Sequence, residues 1–351
     1  MPDDSSPKPP RRIRYSGKNP QKFHEKYKEL QPERYPEDVA HVVASGRTPA
    51  GTHRPIMVKE ILSLLKPQPG EFAVDCTLGY GGHAQELLQA VLPNGRLLGI
   101  DADPLQLPKT EARLRGLGFP SESLCVRRMN YAGLSQAVLS ESVEGADVIL
   151  ADLGLSSMQI DDPERGFTYK SDGPLDMRLN PQHGQPVSAL LSKLTEKELA
   201  RLLELNADEP QAVRLAAVIL EAHAEYPFKT TMDLANVVTE FVGSRKNRSE
   251  DDFKQTLRRV FQALRIAVND EFGALDAFLR QLPFCLKPHG RVAILTFHSG
   301  EDRRVKHAFR DGLRDGLYSE ILEEVMRPSP EEQRANPRSS SAKLRWAVRA
   351  S

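Results

Sequence analysis

The chain has 351 residues, 39% of them apolar, with 48 Lys and Arg against 48 Asp and Glu. That length buries a sizeable core and leaves room for two domains, while zero net charge excludes a histone-like positive coat. No apolar run approaches the ~18 residues of a membrane span, and Cys76, Cys125 and Cys285 form no C-x-x-C pair, so neither a zinc site nor a disulfide framework is suggested and a reducing cytoplasm fits.

Up to about residue 54 the chain is polar and proline-punctuated, with 11 Lys or Arg against 7 Asp or Glu. Composition alone fits a solvated tail. RRIRYSGKNPQKFHEKYK sets cations among Tyr15, Phe23 and Tyr27, which also fits an arm gripping RNA. The apolar core of a signal peptide is missing, and acids throughout disfavour a transit peptide.

The folded part is expected to begin at His53-Arg54-Pro55, with VKEILSLLK a helix leading into a first strand at Phe72-Ala73-Val74. DCTLGYGGHA, residues 75–84, then reads as a glycine turn, and QELLQAVL, apolar at 87, 88, 91 and 92, as the helix after it. Gly79, Gly81 and Gly82 permit positive φ and close approach of a ligand, and the helix start offers unpaired N–H groups. Such a turn also fits the dinucleotide fingerprint, and many α/β domains carry one that binds nothing. A second strand, RLLGID, ends at Asp101, 20 residues after Gly81, where an acid can accept both hydroxyls of an adenosine ribose. NAD and S-adenosylmethionine both satisfy this. Asp75 favours S-adenosylmethionine, because a carboxylate beside the turn repels a pyrophosphate and suits an ammonium group.

LCVRRMNYAGL predicts a third strand and a loop at Asn130-Tyr131, where Tyr131 is placed either to cover an adenine or simply to fill space. ADVILADLG is a fourth strand with Asp152 at its ligand-facing end. Residues 152–181 then form a Gly-, Pro-, Asp- and Arg-rich loop, the kind of long segment that is usually functional or disordered, and Phe167 and Tyr169 argue against disorder. The Asp/Asn-Pro-Pro-Tyr/Phe motif of many exocyclic-amine methylases is absent; Asp152-Leu153-Gly154-Leu155 stands there.

TEKELARLLEL, QAVRLAAVILEAHAEY and TTMDLANVVTEFV predict a small helical insert. After the polar break GSRKNRSEDD, residues 253–282 read as one long amphipathic helix or two joined, returning the chain to the sheet. Arg258, Arg259 and Arg265, with Arg245, Lys246 and Arg248, fit either a basic face or a solvated surface. RVAILTFHS predicts a strand ending at His298, which is positioned for a structural or a catalytic role. LRWAVR alternates like an edge strand.

HRPIMVKE, DCTLGYGGHA, GIDADP, ADLGLSSMQIDDPERGFTYKSDGPLDMR, RRVFQALRIAVNDE, RVAILTFHSGEDRRVK and NPRSSSAKLR, in this order over residues 53–348, resemble the bacterial small-subunit rRNA cytosine-N4 methyltransferases, the RsmH or MraW family. Departures are Cys76 where the family commonly has Gly, Gly300 where FHSLEDR has Leu, and a longer arm before His53. The resemblance implies an α/β class I (Rossmann-like) methyltransferase core carrying an inserted all-helical domain. The expected layout is an arm over 1–52, a core over 53–160 and 255–351, and a loop plus helical insert over 161–254. It further implies S-adenosylmethionine contacts at Gly81, Gly82, His83, Asp101, Tyr131, Asp152 and Gln159, no metal and no membrane. Backbone N–H groups at 81–83 would then meet the carboxylate, Asp101 the ribose, Tyr131 the adenine, and Asp152 with Gln159 the adenine edge or methionine end. The implied substrate is a cytidine in the decoding region of 16S rRNA, met in the small ribosomal subunit in the cytoplasm.

Cytosine's N4 lone pair is delocalised into the ring, so methylation needs an acceptor for an N4 hydrogen and a base turned out of its stack. Asp176, Arg178 and His298 are the candidates, although GPLDMR equally fits a buried Asp–Arg pair that shapes the loop. The core motifs alone also permit methylation of an amine in DNA or protein. An RNA-binding protein without catalysis is the other class, opposed by intact Gly81, Gly82, Asp101 and Asp152.

Overall fold

In the computed structural model of the protein the described residues are 23–28, 34, 35, 37, 55–244 and 249–351. They fall into two units, Met1–Thr52 and His53–Ser351. In the first, a single helical turn, Phe23–Lys26, sets the Phe23 and Tyr27 rings 4.9 Å apart. Tyr27 is buried and so presents no open face for a base; Tyr15 lies outside the described residues.

The second unit starts with helix α1 (Val58–Leu65), then alternates β1 (Phe72–Asp75), α2 (Gly82–Val91), β2 (Arg96–Asp101), α3 (Leu107–Arg115), β3 (Leu124–Arg128), α4 (Leu134–Glu141) and β4 (Ala146–Asp152). With β5 (Leu286–Thr296), β6 (Tyr318–Ile321) and β7 (Lys343–Arg349) the sheet has the order β3-β2-β1-β4-β5-β7-β6. The pairs among β1 to β5 are parallel, whereas β7 is antiparallel to β5 and β6. This doubly wound arrangement is the class I methyltransferase core that the resemblance implies. Successive strand residues alternate between two apolar layers. Val74, Leu98, Ile149 and Ile294 enter one cluster, and Ala73, Leu97, Leu150 and Leu295 the other, as a parallel sheet covered on both faces requires.

Strand order reverses at β1, so the crevice beyond the carboxyl ends of β1, β2 and β4 is where such a sheet binds ligands. Each of those strands ends in an aspartate: Asp75, Asp101 and Asp152.

After a short helix, α5 (Ser157–Asp161), come α6 (Val187–Leu191), α7 (Glu196–Ala207), α8 (Ala212–Glu225), α9 (Thr231–Gly243) and α10 (Glu250–Asn269). Capping boxes at Thr195/Glu198, Thr230/Asp233 and Ser249/Asp252 start α7, α9 and α10, each stabilising its helix by roughly 0.5–2 kcal/mol. The predicted single or double helix is two. Asp270, at φ 47°, closes α10 and opens α11 (Glu271–Cys285), and α12 (Ser299–Arg314) follows β5.

Two expectations are revised. Leu257, Val260, Phe261 and Leu264 of α10 join the insert's own apolar cluster, so the insert extends to Asn269 rather than stopping at 254. β7 lies between β5 and β6, so LRWAVR is interior; the edge is the four-residue β6, too short to show an alternating pattern. The long loop is anchored, in line with the reading of Phe167 and Tyr169 against disorder. Phe167, Leu175 and Met177 enter the insert's core, and the Leu175 and Thr231 N–H groups donate to Lys229 and Gly173 carbonyls at 2.9 and 2.8 Å. Gly166, at φ +71°, is required there, because a Cβ would lie 2.1 Å from the Pro174 carbonyl oxygen.

Candidate active site

The turn between β1 and α2 is held by its neighbours. Asp101 Oδ2 accepts the Gly79 N–H at 2.7 Å and Oδ1 the Asp103 N–H at 2.8 Å. The Thr110 hydroxyl donates to the Gly79 carbonyl, and the Arg113 guanidinium donates to the Tyr80 carbonyl at 2.6 Å while lying over the Tyr80 ring. Gly81, at φ 77°, leads into α2, and its N–H is already taken by the Leu78 carbonyl at 2.6 Å. Of the N–H groups assigned to a ligand carboxylate, those of Gly82 and His83 therefore remain at the helix start.

His83 is buried in the first turn of α2, its Nε2 3.5 Å from Asp152 Oδ2. Neither His83 Nε2 nor Asp152 Oδ1 has a hydrogen-bond partner, although both are buried. Buried polar atoms are usually bonded, so Asp152 Oδ1 and the long His83–Asp152 contact fit a corner that accepts a further polar group. Burial works against the His83 imidazolium, but Asp152 and Asp75 outweigh it and raise its pKa. Burial pushes the Asp75 carboxyl up to about 6, against His83 and the Thr77 N–H, with Asp152 and Asp101 adding to the rise. Burial likewise raises Asp101, despite its N–H donors.

A raised acid binds its proton more tightly folded than unfolded, so Asp75 costs stability as pH climbs from the ordinary 3.8 to about 6. His83 acts in the same direction, stabilising at low pH and losing that contribution as pH rises through its raised pKa. Asp75→Asn is therefore expected to gain on wild type over that interval by up to ~3 kcal/mol, read from denaturant unfolding of the ligand-free proteins at several pH values. A difference independent of pH would refute the assignment.

On the long loop, Asp176 and Arg178 form a two-pronged pair, Nε to Oδ1 at 2.8 Å and Nη2 to Oδ2 at 2.7 Å. Burial pushes the Asp176 carboxyl up, but Arg178 outweighs it and holds it below its ordinary range. Such a carboxylate is a weak base and a good orienting group. Met177 between them is buried at φ 61°. Asn269 fixes this turn, accepting the Leu179 N–H at 2.7 Å and donating to the Met177 carbonyl at 2.7 Å.

Gln159 does not project freely. Its Nε2 donates to Asp103 Oδ2 at 2.8 Å, and its Oε1 accepts the Ser156 N–H in a capping box. Arg165 donates to the same Asp103 oxygen at 2.7 Å and to the Arg178 and Leu179 carbonyls at 3.2 and 2.9 Å. Asp103, Arg165 and Asn269 stood inside the quoted motifs without a role. Only the position of Asp103, two residues past the strand-end acid, was a local signal.

His298 lies 3.2 Å from Glu301 through Nε2, and Glu301 Oε2 accepts the Phe297 N–H at 2.8 Å. Burial pushes the Glu301 carboxyl up, but His298, the Phe297 N–H and Arg265 outweigh it and keep it ionised below its usual range. Arg265 grips Glu271 at 2.7 and 2.8 Å, so it faces inward and does not join a basic surface; Arg245, Lys246 and Arg248 lie outside the described residues. Glu271, His298 and Glu301 bring ligand atoms within 4.8 Å of one another, but Arg265 already supplies a cation to Glu271. Burial, with Glu271 and Glu301, raises the Tyr131 phenol, whose ring meets Phe278 edge-on at 5.4 Å. A Cβ at Gly300 would lie 2.5 Å from Phe272 Cζ, and the Arg304 guanidinium covers that same ring at 3.7 Å.

The structure thus brings Gly81, Gly82, His83, Asp101 and Asp152 to one corner, the Asp176–Arg178 pair to the loop, and His298 with Tyr131 to a third cluster. The sequence matches the family model described as the MraW methylase family over residues 50–350. It is 48% identical to "Ribosomal RNA small subunit methyltransferase H 2" of Alkaliphilus metalliredigens over 350 residues, 99% of this chain and 100% of that one. It is 45% identical to "Ribosomal RNA small subunit methyltransferase H 1" of Lachnoclostridium phytofermentans, covering 99% and 95%. A third relative, "Ribosomal RNA small subunit methyltransferase H" of Thermomicrobium roseum, is 40% identical and covers 85% of this chain and 94% of its own. Two relatives therefore align with the residues before His53 as well. With the motifs, the sheet carrying a helical insert, and near-complete alignments in agreement, the chain belongs to the MraW methylase family.

Proposed function

We infer that this chain transfers a methyl group from S-adenosylmethionine to the exocyclic N4 of a cytidine in the decoding region of 16S rRNA. The observation that carries the cofactor assignment is the convergence of Asp75, Asp101 and Asp152 on one glycine turn, with buried polar atoms of His83 and Asp152 lacking partners. Three carboxylates suit a ligand bearing ammonium and sulfonium charges and repel a pyrophosphate. The names of the relatives support small-subunit rRNA as the substrate.

Bound S-adenosylmethionine supplies an electrophilic methyl group. Asp101 would accept the ribose hydroxyls, the N–H groups of Gly82 and His83 would meet the carboxylate, and Tyr131 would border the adenine. Gln159 would act by holding Asp103 beneath the ribose side. On the substrate side, the Asp176–Arg178 pair would hold the Watson–Crick edge of the extruded base, and His298 is the candidate to receive the N4 proton. No step in this reading calls for a metal. Among the described residues no helix is long and apolar enough to cross a membrane; a ribosomal substrate supports a cytoplasmic location.

Labelled methyl transfer to small ribosomal subunits, naked DNA and peptides tests the reading, with mass mapping of the product nucleotide. Methyl-N4-cytidine in rRNA is the expected result; label only on DNA or peptide would overturn it. The arm adds a separate expectation from its clustered cations. Deleting residues 1–50 should leave cofactor affinity intact but flatten the salt dependence of rRNA binding. Equal salt slopes for both proteins would identify the arm as a solvated tail.

A further inference from the structure

We propose that Arg165 is the positioning residue that ties the substrate loop to the cofactor strand, so that the base-holding turn 176–179 is set by an occupied cofactor site. The proposal rests on the reading above for which side of the crevice takes which molecule. Its geometry is a continuous hydrogen-bonded chain. Asp101, the ribose acid, accepts the Asp103 N–H at 2.8 Å. Asp103, with no exposed surface, accepts Arg165 Nη1 at 2.7 Å through Oδ2. Arg165 Nη2 donates to the carbonyls of Arg178 and Leu179, and Arg178 grips Asp176. Two elements more than 60 residues apart in sequence thus share one guanidinium.

Three further observations support a positioning role. The Asp103–Arg165 pair is nearly dry, its side chains 0% and 10% exposed. A buried ion pair is weak evidence for added stability, and its best attested use is to fix one arrangement over others. Arg165 is also part of the turn it holds, since the Met177 N–H donates back to its carbonyl at 3.2 Å. Finally, the turn contains a non-glycine residue, Met177, in the left-handed region, a conformation that persists only where its surroundings enforce it. Asn269 enforces it from the insert and Arg165 from the cofactor side. The planar fork matters, because one ammonium cannot span an acid and two carbonyls in fixed directions.

The test is hydrogen–deuterium exchange of the peptides covering 173–182, with and without saturating S-adenosylmethionine, in wild type and Arg165→Lys. Cofactor is expected to slow exchange there by ~10-fold in wild type. In Arg165→Lys that slowing should disappear although calorimetry shows the cofactor still bound. Asp103→Asn serves as the second variant if the first does not fold. Equal slowing in wild type and variant overturns the proposal, as does no slowing in wild type. A residue that merely stabilised the fold would shift unfolding without removing this response.

The kinetic arm uses small ribosomal subunits. Arg165→Lys should lower kcat by ~30-fold or more, yet add under ~3-fold in an Asp176→Asn background, where the held group is already impaired. Fully multiplicative effects would count against the coupling. A wild type that methylates no rRNA would sink the functional reading alone, because the exchange experiment decides the coupling without a substrate.

Discussion

Asp176→Asn is expected to lower kcat on small ribosomal subunits by ~100-fold or more while the S-adenosylmethionine dissociation constant stays within ~3-fold of wild type. Both oxygens of Asp176 engage Arg178, and Oδ1 also accepts the Arg178 N–H. An amide keeps one acceptor and turns a donor toward the guanidinium, so half of the fork is lost and the charge that orients it disappears. Arg178→Ala should act in the same direction, leaving Asp176 without its partner. Contacts that matter in the transition state reduce turnover rather than cofactor affinity. If activity instead recovers at saturating cofactor, the pair only shapes the cofactor pocket. Full activity in both folded variants would pass the role to His298.

Asp101→Ala should weaken S-adenosylmethionine binding by roughly 1.5–3 kcal/mol for each ribose bond lost, fewer where water substitutes. The structure adds to that expectation. The same carboxylate accepts the Gly79 N–H and the Asp103 N–H, so its removal also loosens the glycine turn and the start of the path to Arg165. Asp101→Asn, which retains one acceptor, should fall between alanine and wild type in calorimetry. Unchanged affinity in a folded alanine variant removes Asp101 from the site.

Strand-end acids and the glycine turn were legible because their signals are local: an apolar run, a carboxylate, and glycines at fixed offsets. The helices of the insert were legible for the same reason, through apolar spacing. What escaped was long-range. Arg265 read as a surface cation on an amphipathic helix, but its partner Glu271 lies beyond a helix break at Asp270 that periodicity does not mark. Asn269 and Arg165 hold loop atoms fixed only once the insert has folded against residues 177–179. Gln159 carried the right types of atom for a ligand, and its donor turned out to serve Asp103 instead. β6 was too short to register, which made β7 look like an edge.

Gly300 has an implication for how this sequence can change. Its missing side chain is occupied by Phe272, whose ring in turn carries the Arg304 guanidinium. A leucine at 300, as in the FHSLEDR form of the motif, requires the Phe272 ring to move out from under Arg304, and trimming Phe272 alone opens a hole there. The two positions, 28 residues apart, are therefore coupled: a change at one is expected to cost less when the other changes with it. A motif transplanted from a relative would meet this coupling at once, beside His298, however well it works in its parent.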